Sequence, residues 1–184
     1  MSLRETQDFL ARIYTDENLR REFLSAPEQI GKNNNLTEKE IAELTEILPA
    51  EINLFADSLF RKRLREVEKL LPLTKNALGS DFEKYFRAFA VVFLPESIKK
   101  HLEDAIRFAG FLQSKKIELI WAKDLAGFEQ AKLEFYALHK RLIFRVFDVN
   151  VKEISREDAK ARREISKKKT FSVWLRIGKH EIVF

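Results

Sequence analysis

The chain has 184 residues, 34 Lys and Arg against 29 Asp and Glu, a formal charge of +5, and a hydrophobic content of 45% that includes 16 Phe. That is enough apolar material for a packed core and argues against global disorder. There is no cysteine, which excludes disulfides, zinc ribbons, thiol catalysis and iron–sulfur ligation together. The longest apolar run, Ala88–Leu94, is far shorter than the roughly 20 residues of a membrane-spanning helix. The first residues, Met1-Ser-Leu-Arg-Glu, lack an apolar stretch of the signal-peptide kind, so a cytoplasmic protein is the expectation. Five Gly and four Pro imply few turns and favour long helices.

Taken in chain order, Phe9, Leu10, Ile13 and Tyr14 share one helical face, and Leu19, Phe23 and Leu24 continue it after a break near Thr15, whose hydroxyl can cap the next helix. Ser25 before Pro27 starts a short helix, and Lys32–Asn35 reads as a loop. Thr37 and Glu40 have capping-box spacing, with Leu36 and Ile41 at the hydrophobic-staple positions, and the helix they open should end near Pro49. Ala50–Leu71 is predicted as a long helix with Ile52, Phe55, Ala56, Leu59, Leu64, Val67, Leu70 and Leu71 as its apolar stripe. Pro72 limits it, and Gly79 caps a short helix around Leu73–Leu78. Ser80 and Glu83 have the spacing of a second capping box. The helix they open carries Phe82, Tyr85, Phe86, Phe89, Ala90 and Phe93 and stops at Pro95; at helical spacing this aromatic stripe reads as core rather than as a ligand box. Ser97–Gln113 and Lys116–Leu138 are predicted as two further helices, the second with a bend at Gly127.

Near Lys140 the period changes from 3.6 to 2. Leu142, Phe144 and Val146 alternate with Ile143 and Arg145, and Val149 and Val151 extend the pattern past Asp148. Phe171, Val173, Leu175 and Ile177 alternate with Ser172, Trp174 and Arg176. Gly178-Lys179 can make a two-residue hairpin turn before a returning strand over His180–Phe184. The expected fold is therefore α+β: a helical domain over 1–138, then a small antiparallel sheet over 139–184 with a basic connection at 155–169. Such a sheet has two edges that can accept a further strand beside Leu142–Val151 or Thr170–Ile177.

The charge is concentrated in that last part. Residues 140–184 hold 13 Lys and Arg against 6 Asp and Glu, whereas residues 1–139 hold 21 against 23. Within the connection, Arg156, Lys160, Arg162, Arg163, Lys167, Lys168 and Lys169 face only Glu157, Asp158 and Glu164. The field attracts an acidic peptide or nucleic acid, or serves only as a solvated loop. No helix-turn-helix pattern accompanies it, so duplex DNA contact would be through phosphates, non-specific and salt-dependent. His101, His139 and His180 are scattered, without partners at metal-ligand spacing, and no phosphate loop, nucleophile elbow or zinc-protease helix is visible. On the long helix Arg61, Lys62, Arg63 and Arg65 lie within about one and a half turns; they can meet phosphates or acidic groups, or pair with Asp57, Glu66 and Glu68 on the same helix.

The segment Ser58–Phe82, SLFRKRLREVEKLLPLTKNALGSDF, resembles the helical domain of a bacterial family labelled for DNA binding, through Arg61, Arg63, Pro72, Leu78, Gly79 and Phe82. The resemblance continues through Pro95, Ala105, Phe108, Leu112 and the run Asp124–Glu129, and covers about residues 10–136. That family and its relatives include partner proteins of multinuclear iron oxidases that modify cysteines of ribosomally made peptides, as in methanobactin synthesis. The resemblance implies an adaptor that binds a leader peptide and the enzyme, with no catalytic residue, cofactor or metal of its own. The basic connection departs from the family. The reading is a non-catalytic adaptor for a peptide or protein partner; the alternative is a nucleic-acid-binding or transcription-regulatory protein. Arg61, Arg63, Arg65, Arg156, Lys160, Arg162, Arg163, Lys167, Lys168, Lys169 and Trp174 are the candidate partner-binding residues.

Overall fold

The computed structural model describes residues 3–117, 119–154, 169–177 and 180–183. It has α+β architecture, with helices α1 to α9 followed by a three-stranded antiparallel sheet. The chain divides into two compact units, Met1–Arg63 and Leu64–Phe184. The sheet therefore belongs to the same unit as the helices preceding it, because its inner face completes their core.

In the first unit, α1 (Leu3–Thr15), α2 (Glu17–Ser25), α3 (Pro27–Asn33) and α4 (Glu38–Thr45) precede α5 (Pro49–Leu70), which runs on into the second. Phe9, Ile13, Phe23, Leu36, Ile41, Leu44 and Ile52 form the core, with Phe9 edge-on to Phe23 at 5.4 Å. The expected stripe of α5 is buried at Ile52, Ala56, Leu64, Val67 and Leu71, but Phe55 is half-exposed against Tyr14. Thr15 does not cap α2: it is still helical, and its hydroxyl donates back to the Ala11 carbonyl. The cap is Asp16, whose carboxylate accepts from the backbone N–H groups of Asn18 and Leu19 and carries the charge that a helix N-terminus favours. Helix α3 absorbs Lys32 and Asn33, so the loop shrinks to a turn with Asn35 at φ 62°, a conformation asparagine tolerates. Gly31 lets α4 approach, since a Cβ there would lie 2.5 Å from the Ile41 side chain.

The capping box at Thr37 and Glu40 forms as read. The Glu40 carboxylate accepts from the Thr37 hydroxyl, the Thr37 N–H and, at 2.7 Å, the Thr6 hydroxyl of α1. Those hydrogen bonds, the one from the Thr37 side chain first, draw its pKa down to about 2. Helix α4 ends at Thr45, short of Pro49, which opens α5 instead.

In the second unit, α6 (Pro72–Leu78), α7 (Asp81–Ala90), α8 (Lys100–Ser114) and α9 (Ile120–Ala137) lead to β1 (Leu142–Phe147), the short α10 (Val151–Ile154), β2 (Thr170–Ile177) and β3 (His180–Val183). Pro72 is not only a stop for α5; it is the first residue of α6. That helix has no local side-chain cap. The buried Glu129 of α9 caps it from across the fold, accepting from the N–H groups of Leu73 and Thr74 and from the Thr74 hydroxyl at 2.8, 2.9 and 2.6 Å. Burial pushes the Glu129 carboxyl above its ordinary pKa, and these three donors oppose the shift. Gly79 ends α6 at φ 55°, where a side chain would be strained. The second capping box does not form: Ser80 is in the αR region and makes no cap bond, while Glu83 pairs with Arg87 at 3.1 Å. An N-cap needs extended backbone, and the turn at Gly79 does not deliver it.

The aromatic stripe of α7 is core. Phe82, Phe86 and Phe89 are buried around Phe108 of α8, with ring centroids 5.2, 5.2 and 5.4 Å away. Helix α8 begins at Lys100 rather than at Ser97, and the preceding segment is tied by Glu103, which accepts from the N–H groups of Glu96 and Ser97. Helix α9 passes through Gly127 without interruption; a Cβ there would meet Gln113 Oε1 at 3.2 Å, so the glycine admits α8.

The strands run in the order β1-β2-β3, with Leu142 opposite Leu175, Phe144 opposite Val173, Val146 opposite Phe171 and Leu175 opposite Ile182. Gly178 and Lys179 lie outside the described residues; on either side of them Ile177 pairs with His180. Strand β1 stops at Phe147. Asp124 of α9 accepts from the N–H groups of Asp148 and Val149 at 2.7 and 3.0 Å, which removes them from any ladder and turns Val149, Val151 and Ile154 into the core. The inner face of the sheet presents Ile143, Phe147 and Trp174 to Leu125, Ala131 and Phe135 of α9.

Replacing Glu129 by Ala leaves three donors, the two of Thr74 buried, without an acceptor, and the expected loss is about 3 kcal/mol in urea unfolding at neutral pH; a loss under about 1 kcal/mol would show the cap to be dispensable. Glu40 makes a pH-dependent contribution. Its folded pKa lies below the unfolded value, so the stabilisation is complete above about 4.5 and disappears as pH falls toward 2. The difference in urea midpoint between the protein and Glu40→Gln should therefore shrink across that window, and a constant difference would contradict the assignment.

Candidate docking surface

Period-two sequence in which both sets of positions are apolar leaves open which set faces inward. Hydrogen bonding and packing settle it here. The buried set is Ile143 and Phe147 on β1 with Ser172 and Trp174 on β2. The other set, Leu142, Phe144, Val146, Phe171, Val173, Leu175, Ile177 and Ile182, lies on the outer face of the sheet. Phe144 and Phe171 are 56% and 64% exposed, and their rings stack at 6.3 Å on this face. A continuous apolar sheet face in contact with water marks an interaction surface.

Among the described residues, strand β1 is also an edge of the sheet. Arg176 N–H donates to the Arg141 carbonyl at 2.8 Å, which sets the phase of the ladder. Hydrogen-bonded pairs alternate in an antiparallel ladder, so Leu142, Phe144 and Val146 turn their N–H and C=O groups away from β2. The same three residues thus supply the open backbone edge and the border of the apolar face. Strand β2 is the middle strand, paired with β1 over Thr170–Leu175 and with β3 over Trp174–Ile177, so of the edge expected along Thr170–Ile177 only the Thr170–Val173 part, on the side away from β1, lacks a partner strand among the described residues.

The predicted binding residues fall in several places. Trp174 is not available to a partner: it is 1% exposed, with its ring 5.6 Å from that of Phe128, because it belongs to the inward set of β2. Lys169 is exposed just before β2. Arg156, Lys160, Arg162, Arg163, Lys167 and Lys168 lie outside the described residues. Phe147 pairs with Thr170, so Lys169 stands at the end of the sheet that holds Val146 and Phe171. On α5, Arg61 and Arg65 are exposed with no ion pair among the described residues, and Arg63 is half-buried. Glu66 and Glu68, the expected partners of those arginines, accept Lys69 at 2.7 Å and Lys75 at 2.9 Å. Arg61 and Arg63 belong to the first unit and Arg65 to the second.

Alternation alone does not say which set of positions faces the core, so the outer face is not among the sequence expectations. The signal was present: Leu-Ile-Phe-Arg-Val-Phe and Val-Trp-Leu each place apolar residues on both parities. The run Asp124–Glu129, by contrast, proves to be structural, its two acids holding the backbone of β1 and of α6. Among the described residues no group of three or more His, Asp or Glu could hold a metal ion, and no helix is long and apolar enough to cross a membrane.

Phe144 and Phe171 already face water, so Phe144→Ser with Phe171→Ser should change stability by no more than about 1 kcal/mol while sharply reducing the binding of an apolar fluorescent dye. Unfolding of the double variant would place these rings in a core instead.

Comparison with protein-family models, with curated proteins and with solved structures finds no match to this chain.

Proposed function

We propose that the chain is a non-catalytic, cytoplasmic adaptor that holds an extended acidic peptide by strand addition at the free edge of β1. One observation supports the reading: among the described residues no strand pairs with the outer edge of β1 and no element covers its apolar face, and both features fall on the same three residues, Leu142, Phe144 and Val146. Natural sheets ordinarily blunt such an edge with charge, proline or a covering element. An added strand pairs with the outward N–H and C=O groups and lays alternate apolar side chains beside Phe144 and Val146, extending the face. The basic connection, seven Lys and Arg against three acids over 155–169, favours an acidic segment and accelerates its association. The family resemblance supplies a candidate source for that peptide, the leader of a peptide substrate of an iron oxidase.

The test is fluorescence anisotropy of a labelled ten-residue peptide alternating Val and Glu, titrated with the full chain. Val146→Pro removes an outward N–H and leaves the pairing with β2 in place, as proline on an edge strand does. Binding should weaken at least tenfold in that variant, weaken with salt, and be poor for the same peptide with Lys in place of Glu. Equal binding by Val146→Pro would rule out the edge. Tighter binding of duplex DNA than of the acidic peptide would favour the nucleic-acid reading of the basic connection.

A further inference from the structure

The outer edge of β1 is not bare at every residue. The Arg145 side chain bends back over it, and its Nη1 donates to the Phe144 carbonyl at 3.2 Å. Phe144 is one of the residues whose C=O turns away from β2, so the guanidinium lies where the N–H of an added strand arrives. A charged side chain laid on an edge is a guard of the kind that keeps sheets from pairing with arbitrary strands.

The guard is loosely held. Its Nη2 stands 3.6 Å from Glu134 Oε2, beyond hydrogen-bond length, and the same oxygen already accepts Lys140 at 2.7 Å. The Arg145 side chain is 37% exposed, so a ligand can reach it. The neighbouring charges supply no second carboxylate. Arg141, at the same parity of β1, is exposed and has no ion pair among the described residues. Asp148 is exposed beyond the end of the strand, and Glu181 is engaged by Arg176 at 2.6 Å.

An added antiparallel strand bonds through Leu142, Phe144 and Val146. Ile143 and Arg145 then become the non-hydrogen-bonded positions, where directly opposed side chains come closest. The peptide residue opposite Arg145 meets the guanidinium on the α9 side of the sheet, and the residues flanking it lie on the outer face beside Phe144 and Val146. We propose that Arg145 is a latch on the β1 edge and that a carboxylate opposite it opens the latch. Forked pairing with that carboxylate draws the guanidinium off the Phe144 carbonyl, and the freed oxygen accepts the peptide N–H. A neutral strand offers the displaced cation no new acceptor, and a Lys at that position repels it. The latch rests on strand addition at β1 and names what selects the peptide: an extended segment with Asp or Glu opposite Arg145 and apolar residues on either side. Selectivity for acid then resides in one folded side chain as well as in the field of the basic connection.

Anisotropy titrations with the peptide alternating Val and Glu, and with its counterpart alternating Val and Gln, test this on the full chain and on Arg145→Met, which keeps the apolar stem and removes the charged head. The unaltered chain should prefer the Glu peptide by about tenfold, the worth of one charge-assisted hydrogen bond. In Arg145→Met the two affinities should move in opposite directions, the Glu peptide weakening and the Gln peptide tightening. If that variant fails to fold by circular dichroism, Arg145→Thr, too short to reach the Phe144 carbonyl, should give the same crossing. Weakening of both peptides by one factor, or an unchanged preference, would overturn the latch; strand addition then still stands if Val146→Pro weakens binding. Absence of binding by the Glu peptide, or binding indifferent to Val146→Pro, removes strand addition and the latch with it.

Discussion

The buried carboxylate of Glu129 is the contact on which the second unit depends. It stands where α6 begins, and it accepts three donors of α6 for which no local cap supplies an acceptor. A desolvated carboxylate is costly, as its raised pKa shows, and only a full set of donors makes it tolerable. Five residues earlier on the same helix, Asp124 performs the equivalent task for the backbone leaving β1. Helix α9 therefore does more than fill space. Its described side chains are exposed only at Lys132, Tyr136 and the partly wetted intermediate positions, and its acids determine where one helix begins and where one strand ends.

From that arrangement the two-sided sheet follows. Once Asp124 has drawn the chain after Phe147 toward α9, Val149, Val151 and Ile154 join Ile143, Phe147 and Trp174 in a single core. One face of a sheet of three strands is then satisfied by α9. The other face is equally apolar, yet no described element covers it. Covering it with a partner removes apolar area from water at roughly 25 cal/mol per Å², the same driving force that folds the unit.

Local features were legible from the sequence wherever the interaction closes within a few residues. The box at Thr37 and Glu40, the proline start of α3, the left-handed stop at Gly79, the aromatic core stripe of α7 and the change to period two near Lys140 all belong to this class. Where the sequence reading failed, a distant partner had changed the local choice. Ser80 looked like a cap, but the turn at Gly79 set its backbone; Val149 looked like strand, but Asp124, 25 residues away, took its N–H. The inward or outward sense of the strands had the same origin. Two apolar parities are equivalent along the chain, and only the packing of Trp174 and Phe147 against α9 breaks the tie, burying the residue picked for binding and leaving Phe144 and Phe171 in water.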